Sequence, residues 1–296
     1  MKMHTILFSL LTLTIVSALR AQTDLRVLIA NEVNKVDGSV GVALKHIENG
    51  DTLSYNGQRN FPMQSVYKVH LGIAVLKSID EGKLSLNQKI RITQSDFLEN
   101  SWSPIAEKFP NGNVELTVRD LLSYSISQSD NSACDILFRL VGGPSVVDQV
   151  MRRSGIDGVS IKYTEAEMHK DWNAQYDNST TPIAMVALLD MIQRQRILRA
   201  ETNTFLINTM SETVTGPKRI KGALPAGVMV AHKTGMSGLS ESGVRGALND
   251  VGIITLPNGN HLVIAFFVSN TKTETEKVEA LMATISRLVY DHYIGK

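Results

Sequence analysis

Segments with a strand pattern lie at both ends of this 296-residue chain, and segments with a helical pattern fill its middle. Val40, Val42 and Leu44 alternate with small or polar residues ahead of an Asn49-Gly50-Asp51 turn, which predicts a hairpin. Strand patterns return after about residue 215 and include a second hairpin around Pro257-Asn258-Gly259. The two ends are therefore expected to form one α/β unit, into which the middle of the chain is inserted as a helical unit.

The predicted boundaries follow from this change of pattern. The α/β domain is expected at 22–61 and 210–296, and the helical domain at 62–209. Helices are predicted at Val66–Glu81, Thr117–Ser123, Ser132–Val141, Pro144–Ser154 and Thr180–Leu198, and a C-terminal helix after a capping box of Thr273 and Glu276. A polar stretch at about 155–180 has little periodicity, and so long a loop inside a domain is usually functional.

Residues 1–21 are predicted to be a signal peptide. Lys2 precedes an apolar stretch at 6–19, and cleavage is expected after Ala21, with Ala18 as the other candidate. The stretch is shorter than the roughly 20 residues that a membrane anchor needs. We therefore expect a soluble, secreted product that is free of the membrane after processing, and periplasmic in a cell with an outer membrane.

The charge balance argues against nucleic acid as a partner. The formal net charge is +1, or about −1 without Lys2 and Arg20 of the predicted signal peptide, and there is no long basic run. Cys134 is the only cysteine, which excludes an internal disulfide, and the seven histidines show no metal-ligand spacing. The sequence also has no Gly-x-Ser-x-Gly or phosphate-loop motif, and neither a metal nor a cofactor is expected.

Ser65-Val66-Tyr67-Lys68 is the first motif that carries chemistry. Residues three apart share a helix face, so Lys68 can reach the hydroxyl of Ser65, and a serine needs such a neighbouring base to act as a nucleophile. A Ser-x-x-Lys pattern alone is weak, because it occurs by chance in a chain of this length. Lys68, however, lies in an otherwise apolar helix, where a lysine is rare unless it is paired.

Two further motifs are each ambiguous when taken alone. Ser129-Asp130-Asn131 precedes a predicted helix, and all three residue types are suited to a helix N-cap. Lys233-Thr234-Gly235 lies at the end of a strand predicted at Gly227–Lys233, whose edge would offer free N–H groups to a ligand. The combination of the three motifs in this order is far more specific than any one of them.

With these motifs in these contexts, the chain resembles the class A β-lactamases, and the resemblance covers all of it after the signal peptide. The resemblance implies a β-lactamase/transpeptidase-like fold, in which an antiparallel sheet is flanked by helices and a helical domain is inserted. It also implies hydrolysis of penicillins and cephalosporins through an acyl-enzyme on Ser65, at a site between the domains. A monomer is expected.

A segment of the polar stretch, residues 163–169, resembles the Ω-loop of this family. Glu165 takes the position of the family's catalytic glutamate, and Glu167 is its rival in the same segment. A carboxylate held over the acyl-enzyme can activate water as a general base.

The loop also departs from the majority pattern of the family. His169 stands where asparagine is usual, and Tyr163 and Asn178 stand where an arginine–aspartate pair usually ties the loop. A minority subgroup with broad cephalosporin activity shows similar departures. We therefore expect a differently folded loop and a wider site, with His169 at its edge.

The resemblance also implies roles for the remaining motif residues. The proton of Ser65 passes to Lys68, to Glu165 through water, or to both, and Ser129 relays a proton to the leaving nitrogen. The expected binding groups are the N–H groups of Ser65 and Met236 for the oxyanion, Asn131 for the substrate side-chain amide, and Lys233, Thr234 and Ser237 for the substrate carboxylate. Gly235 is expected to be a further substrate-binding residue.

Two site residues are left with alternatives. An arginine usually helps to bind the carboxylate, and Arg219 is preferred to Arg245 because its Thr-Gly-Pro-x-Arg string occurs in related enzymes. Trp102 is expected either at the entrance of the site or in the core.

Two other functions share the acylation machinery. A penicillin-binding D,D-peptidase lacks a group that deacylates efficiently, and a non-hydrolytic β-lactam sensor domain stays acylated. Glu165 favours a hydrolase over both.

Overall fold

The five longer strands at the two ends of the chain pair into one sheet. The structure, a computed structural model, describes residues 25–294, so the predicted signal peptide lies outside the described residues. The strands are β1 (Ser39–His46), β2 (Thr52–Tyr55), β3 (Phe61–Pro62), β4 (Lys89–Thr93), β5 (Gly112–Thr117), β6 (Val159–Ser160), β7 (Ser179–Thr180), β8 (Val230–Met236), β9 (Arg245–Thr255) and β10 (His261–Thr271). The main sheet has the order β2-β1-β10-β9-β8, and every neighbouring pair is antiparallel, as the predicted fold class requires.

Helices cover both faces of this sheet. They are α1 (25–33), α2 (Lys68–Asp80), α3 (Pro104–Lys108), α4 (Val118–Ser127), α5 (Asn131–Val141), α6 (Pro144–Arg153), α7 (Glu165–Met168), α8 (Pro182–Gln193), α9 (Ala200–Ser211) and α10 (Thr275–Tyr293). Within residues 25–294, none of the helices combines the length and apolar character that a membrane crossing requires.

Alternate residues of the central strands pack into two separate hydrophobic cores, one on each face of the sheet. In β10, Val263, Ala265 and Phe267 pack against the helices of the middle of the chain, while Leu262, Ile264, Phe266 and Val268 pack against α1 and α10. Successive side chains of a strand point to opposite faces, so a strand that is covered on both faces is apolar throughout. The sheet is therefore the middle layer of three.

The structure differs from the sequence prediction in the region after α8. The helix predicted at Thr180–Leu198 ends at Gln193, and α9 was not predicted. The α9 sequence is rich in Thr and Asn, which are poor helix formers, so its stability comes from packing against β8, α4 and α2. The stretch at 155–180 is also more ordered than predicted, because it contains β6, α7, a 3-10 helix (Trp172–Tyr176) and β7.

The predicted cap of the C-terminal helix is wrong. The N-cap residue of α10 is Glu274, and Thr273 instead binds Asp37, to which both its N–H and its hydroxyl donate. The carboxylate of Asp37 therefore joins the end of β10 to the start of β1, which accounts for the threonine at this position.

Phe267 offers a direct test of the core between the sheet and the central helices. It is fully buried and stacks on Phe61 with a centroid distance of 6.0 Å. Phe267→Ala is expected to lower the free energy of unfolding by about 3–5 kcal/mol, because it removes buried apolar surface and leaves a cavity. Urea denaturation measures this loss. Val27→Ala, at a half-exposed position of α1, is the control and should change stability by less than about 0.5 kcal/mol; equal losses in the two variants would contradict the assignment of the core.

Candidate active site

The helix α2 lies at the centre of the helical layer, with every residue from Lys68 to Leu76 buried. Ser65 lies in a 3-10 helix (Gln64–Tyr67) that leads directly into α2. Gln64, just before it, has φ +47°, a conformation that few residues other than glycine adopt. The first N–H groups of a helix have no partner within the helix, so this start presents donors beside the Ser65 hydroxyl.

The ammonium of Lys68 is fully buried and surrounded by acceptors. Its Nζ donates to the backbone oxygen of Ser129 at 2.8 Å and to Oδ1 of Asn131 at 2.5 Å. It also forms an ion pair with Glu165, with 3.1 Å between Nζ and Oε1. Lys68 therefore joins the Ser-x-x-Lys motif, the Ser-Asp-Asn motif and the loop glutamate in one cluster.

The Ser129-Asp130-Asn131 motif combines a structural role with placement at the site. Asp130 is the N-cap of α5, accepting from the N–H of Ala133 at 2.8 Å, and it also accepts from Ile105 N at 2.8 Å. Ser129 has φ +61°, a left-handed conformation that few residues other than glycine adopt. The N-cap interpretation is thus correct for Asp130, while Ser129 and Asn131 contact Lys68 and Ser129 also contacts Lys233.

A second buried lysine approaches Ser129 from the sheet. Lys233 Nζ donates to Ser129 Oγ at 2.9 Å and to the backbone oxygen of Thr234 at 2.8 Å. Burial, together with the positive charge of Lys68, holds the pKa of Lys233 well below its usual value. Ser129 therefore lies between two lysines, a position from which its hydroxyl can accept and pass on a proton.

The strand β8 is an edge strand, and its free edge faces the Ser65 segment. It begins later than predicted and contains the whole Lys-Thr-Gly motif. A Cβ on Gly235 would lie 2.5 Å from the backbone oxygen of Met63, so only glycine allows this close approach. Ser237 N donates to Ala247 O, so the N–H of the preceding residue, Met236, points to the free edge.

Of the two glutamates in the loop, only Glu165 points into the cluster. Glu167 forms a capping box with Thr164 at the start of α7 and is exposed. Glu165 is buried, and its N–H donates to Oδ1 of Asp135 at 2.8 Å, while Ala166 N donates to Oδ2 at 2.9 Å. Asp135 thus fixes α7 onto α5.

Asn178 ties the two ends of the loop through its side-chain amide, beside an ion pair of Lys162 and Asp177. Its Oδ1 accepts from the N–H groups of Lys162 and Tyr163 at 2.8 and 3.0 Å, and its Nδ2 donates to Tyr163 O at 2.8 Å. Farther along the loop, Gln175 Oε1 accepts from Gln64 Nε2 at 2.9 Å. The roles of Asp135 and Gln175 were not predicted from the sequence, because an aspartate inside a helix and a glutamine in a polar loop carry no motif.

Of the two arginines considered for binding the substrate carboxylate, Arg219 and Arg245, only Arg219 lines the cavity beside Ser65. Arg219 is nearly buried and lines a cavity of about 390 Å³ together with Ser65, Ser129 and Thr234. Its Nε lies 3.1 Å from Oε1 of Glu279, which holds the guanidinium in place. Arg245 is not among the residues that line this cavity and binds Ser237 O and the hydroxyl of Thr275.

A second cavity, of about 440 Å³, adjoins the first between the loop and the end of β8. Asn131 and Met236 line both cavities, and His169, Trp172 and Gly238 are among the residues that line only the second. Ser237 also borders it, but its hydroxyl donates to Gly238 O and accepts from Ala247 N.

Trp102 stands at the rim of the first cavity and not in the core. Its side chain is 55% exposed, and its Nε1 donates to Gln128 O at 2.8 Å. The amide of Asn131, deeper in the site, is fixed from both sides, since its Nδ2 donates to Ser101 Oγ at 2.8 Å.

Asp135 makes stability depend on pH in a defined direction. Burial raises the pKa of its carboxyl from 3.8 to about 6, with a smaller contribution from the charge of Glu165 and against the two N–H bonds it accepts. Between about pH 4 and 6 the folded protein therefore binds a proton at Asp135 that the unfolded chain does not bind. This proton binding stabilises the folded state, and the stabilisation is lost as the pH rises through 6.

Asp135→Asn removes this titration. The difference in unfolding free energy between the parent and this variant is therefore expected to be smaller at pH 7 than at pH 4, by about 1–3 kcal/mol. Urea denaturation of both proteins at the two pH values measures it. A difference that stays constant or grows towards pH 7 would contradict the raised pKa.

Comparison with known proteins agrees with this geometry. A sequence model of the "Beta-lactamase enzyme family" matches residues 23–293. Beta-lactamase VEB-1 of Pseudomonas aeruginosa is 44% identical over 279 residues, which cover 93% of each chain. Extended-spectrum beta-lactamase PER-1 of the same organism is 40% identical over 258 residues, covering 87% of this chain and 83% of PER-1.

A solved structure extends the likeness to the fold. The crystal structure of TLA-3 extended-spectrum beta-lactamase superposes with a TM-score of 0.91 at 44% identity, covering 92% of this chain and 99% of that one. The paired lysines, the serine at a helix start and the buried loop carboxylate are thus set in the fold that these relatives share. The chain belongs to the class A serine β-lactamases, the enzymes that hydrolyse the β-lactam amide and so confer resistance to these antibiotics.

Proposed function

We propose that Ser65 attacks the lactam carbonyl and that the resulting acyl-enzyme is hydrolysed by water activated by Glu165. The observation that carries this proposal is the cluster around Lys68, which brings the Ser129 backbone, Asn131 and Glu165 to one ammonium. Lys68, or Glu165 through water, takes the proton of Ser65 during acylation. Lys68 Nζ accepts it only when unprotonated, whereas the Glu165 carboxylate needs an intervening water.

The oxyanion is bound by the N–H groups of Ser65 and Met236. The first belongs to the start of a helix and the second points to the free edge of β8. Such donors each stabilise the transition state by roughly 3–4 kcal/mol, because they are already in place when the charge develops.

Ser129 protonates the leaving nitrogen, and it receives its proton from the buried lysine network. Its hydroxyl accepts from Lys233 Nζ, and burial together with the positive charge of Lys68 holds the pKa of Lys233 well below its usual value. The substrate carboxylate is bound by Lys233, Thr234 and Arg219. The hydroxyl of Thr234 lies 2.6 Å from that of Thr215, which orients it at the wall of the first cavity.

Glu165→Gln is expected to acylate once and then stall. Loss of a general base typically lowers the rate of the step it serves by about 10²–10⁴-fold, so kcat for a chromogenic cephalosporin should fall by this factor while the initial burst remains. Stopped-flow absorbance follows the burst, and intact-protein mass spectrometry detects the adduct on Ser65.

Glu167→Gln is the matched control, since glutamine preserves the capping box of α7. It should retain nearly full turnover. Rapid turnover by Glu165→Gln, or equal losses in both variants, would contradict the assignment of the base. A parent enzyme that itself stays acylated would instead be a penicillin-binding D,D-peptidase or a sensor.

We further propose that oxyimino-cephalosporins are substrates. The second cavity, beside the loop, supplies space next to Asn131 for a large acylamino side chain. PER-1 and TLA-3, two of the similar proteins, are named extended-spectrum β-lactamases, and the departures at His169 and Asn178 lie in the loop that forms this wall.

Gly238 tests this use of the second cavity. It lines the cavity, its φ is not positive, and a Cβ there would meet nothing within 4 Å. Gly238→Tyr is expected to fill the space and to raise KM for an oxyimino-cephalosporin by about tenfold or more, whereas a small penicillin is affected by less than threefold. Gly238→Ala is the control. Negligible hydrolysis of oxyimino-cephalosporins by a parent that turns over penicillins well would make the proposal wrong.

We also propose that the mature enzyme is a periplasmic monomer. The pattern of residues 1–21 supports export. The site cluster, from Ser65 to Arg219, is assembled within one chain.

A further inference from the structure

We infer that a buried His232–Asp250 pair positions the two cations, Lys233 and Arg219, that hold the substrate carboxylate. The inference rests on the carboxylate site proposed above. It assigns a positioning role to two residues that touch neither the substrate nor Ser65.

The pair is wholly inside the protein. His232 of β8 and Asp250 of β9 are both 0% exposed, on the face of the sheet that packs against α10. His232 Nδ1 lies 2.9 and 3.1 Å from the two oxygens of Asp250. A carboxylate can only accept, so Nδ1 carries the proton, while Nε2 is buried with no hydrogen-bond partner among residues 25–294.

Asp250 connects β8 to a different segment. Its Oδ2 also accepts from Ile220 N at 3.2 Å, at the first residue of the 3-10 helix Ile220–Ala223. One carboxylate is thus bound on one side by the residue before Lys233 and on the other by the residue after Arg219. Arg219 lines the first cavity, and Lys233 binds Ser129, which also lines it. The segments that carry the two cations have no other carboxylate in common among the described hydrogen bonds.

The backbone around Asp250 fixes the guanidinium as well. Arg219 Nη1 donates to the backbone oxygen of Asn249 at 3.0 Å and approaches that of Gly235 at 3.5 Å. A shift of Asp250 relative to β8 would therefore move Arg219 against Lys233. The separation of the two cations determines whether they can bind both oxygens of one carboxylate.

A buried polar pair is a costly way to gain stability alone, since well-packed apolar residues of similar volume often do as well. The His232–Asp250 pair, unlike apolar packing, has a defined hydrogen-bond geometry that fixes the two strands relative to each other. Lys233 Nζ has three donors, of which two bind Ser129 and Thr234, so the direction of the third depends on where the strand is held.

The test compares two inhibitors that differ only in a carboxylate. Phenylboronic acid and 3-carboxyphenylboronic acid both form a tetrahedral adduct with a nucleophilic serine, and only the second has an anion for the cation pair. In the parent enzyme the carboxylate is expected to lower Ki by about tenfold or more, the size of one charge-assisted hydrogen bond.

His232→Leu removes the donor at similar volume, and His232→Asn keeps a donor near the position of Nδ1. The Ki ratio of the two inhibitors is expected to fall towards one in His232→Leu and to recover in His232→Asn, with Ki of phenylboronic acid changed by less than threefold. His46→Leu is the control: His46 is buried in β1 on the same face of the sheet, three strands away from β8. It should leave the ratio at the parent value.

Asp250→Asn serves as the second variant if His232→Leu does not fold, and circular dichroism establishes folding in each case. An unchanged ratio in a folded His232→Leu or Asp250→Asn, or an equal rise of both Ki values, would overturn the inference. Absence of any carboxylate preference in the parent would instead show that the proposed carboxylate site is wrong, so the two failures are distinguishable.

Discussion

The site depends on the burial of the Lys68 ammonium. A charge removed from water needs acceptors of its own, and those of Lys68 come from α2's neighbours in the fold: the turn before α5, the first residue of α5, and the loop helix α7. None of these segments would be held in this arrangement by apolar packing alone, because packing constrains volume more than direction. The requirement of one cation for several acceptors therefore brings together residues far apart in the chain.

The sheet contributes a second cation, Lys233, and the free edge of the strand β8. Gly235 allows β8 to lie against the segment before Ser65, and this contact brings Lys233 to the hydroxyl of Ser129, whose backbone oxygen binds Lys68. Two lysines on one serine make a site rich in positive charge, which suits a substrate with a carboxylate and a reaction that creates an oxyanion. Burial, and after it the positive charge of Lys68, lowers the pKa of Lys233 in this site.

Much of this could be predicted from the sequence, because the motifs record local requirements. Three motifs each restrict the conformation of their own segment: an isolated lysine in an apolar helix, a cap-like tripeptide and a Lys-Thr-Gly strand. Their order along the chain identified the fold. What the sequence could not show were pairings between segments. The aspartate at 135 reads as an ordinary helix residue until α7 is placed against it, and α9 has a composition that disfavours a helix until its neighbours cover it. The cap at Thr273 failed for the same reason, since Asp37 is 236 residues away.

The attachment of α7 to α5 has a consequence for how such an enzyme can change over generations. Asn131 and Asp135 are four residues apart on one helix, so the group that contacts Lys68 and the group that holds α7, the helix of Glu165, are separated by a single rigid turn. The outer part of the loop, around His169 and Trp172, plays no part in that attachment and borders only the second cavity. Substitutions in the outer loop can therefore change the range of antibiotics that the enzyme accepts. They leave the spacing of Asn131 and Asp135 on α5 unaltered.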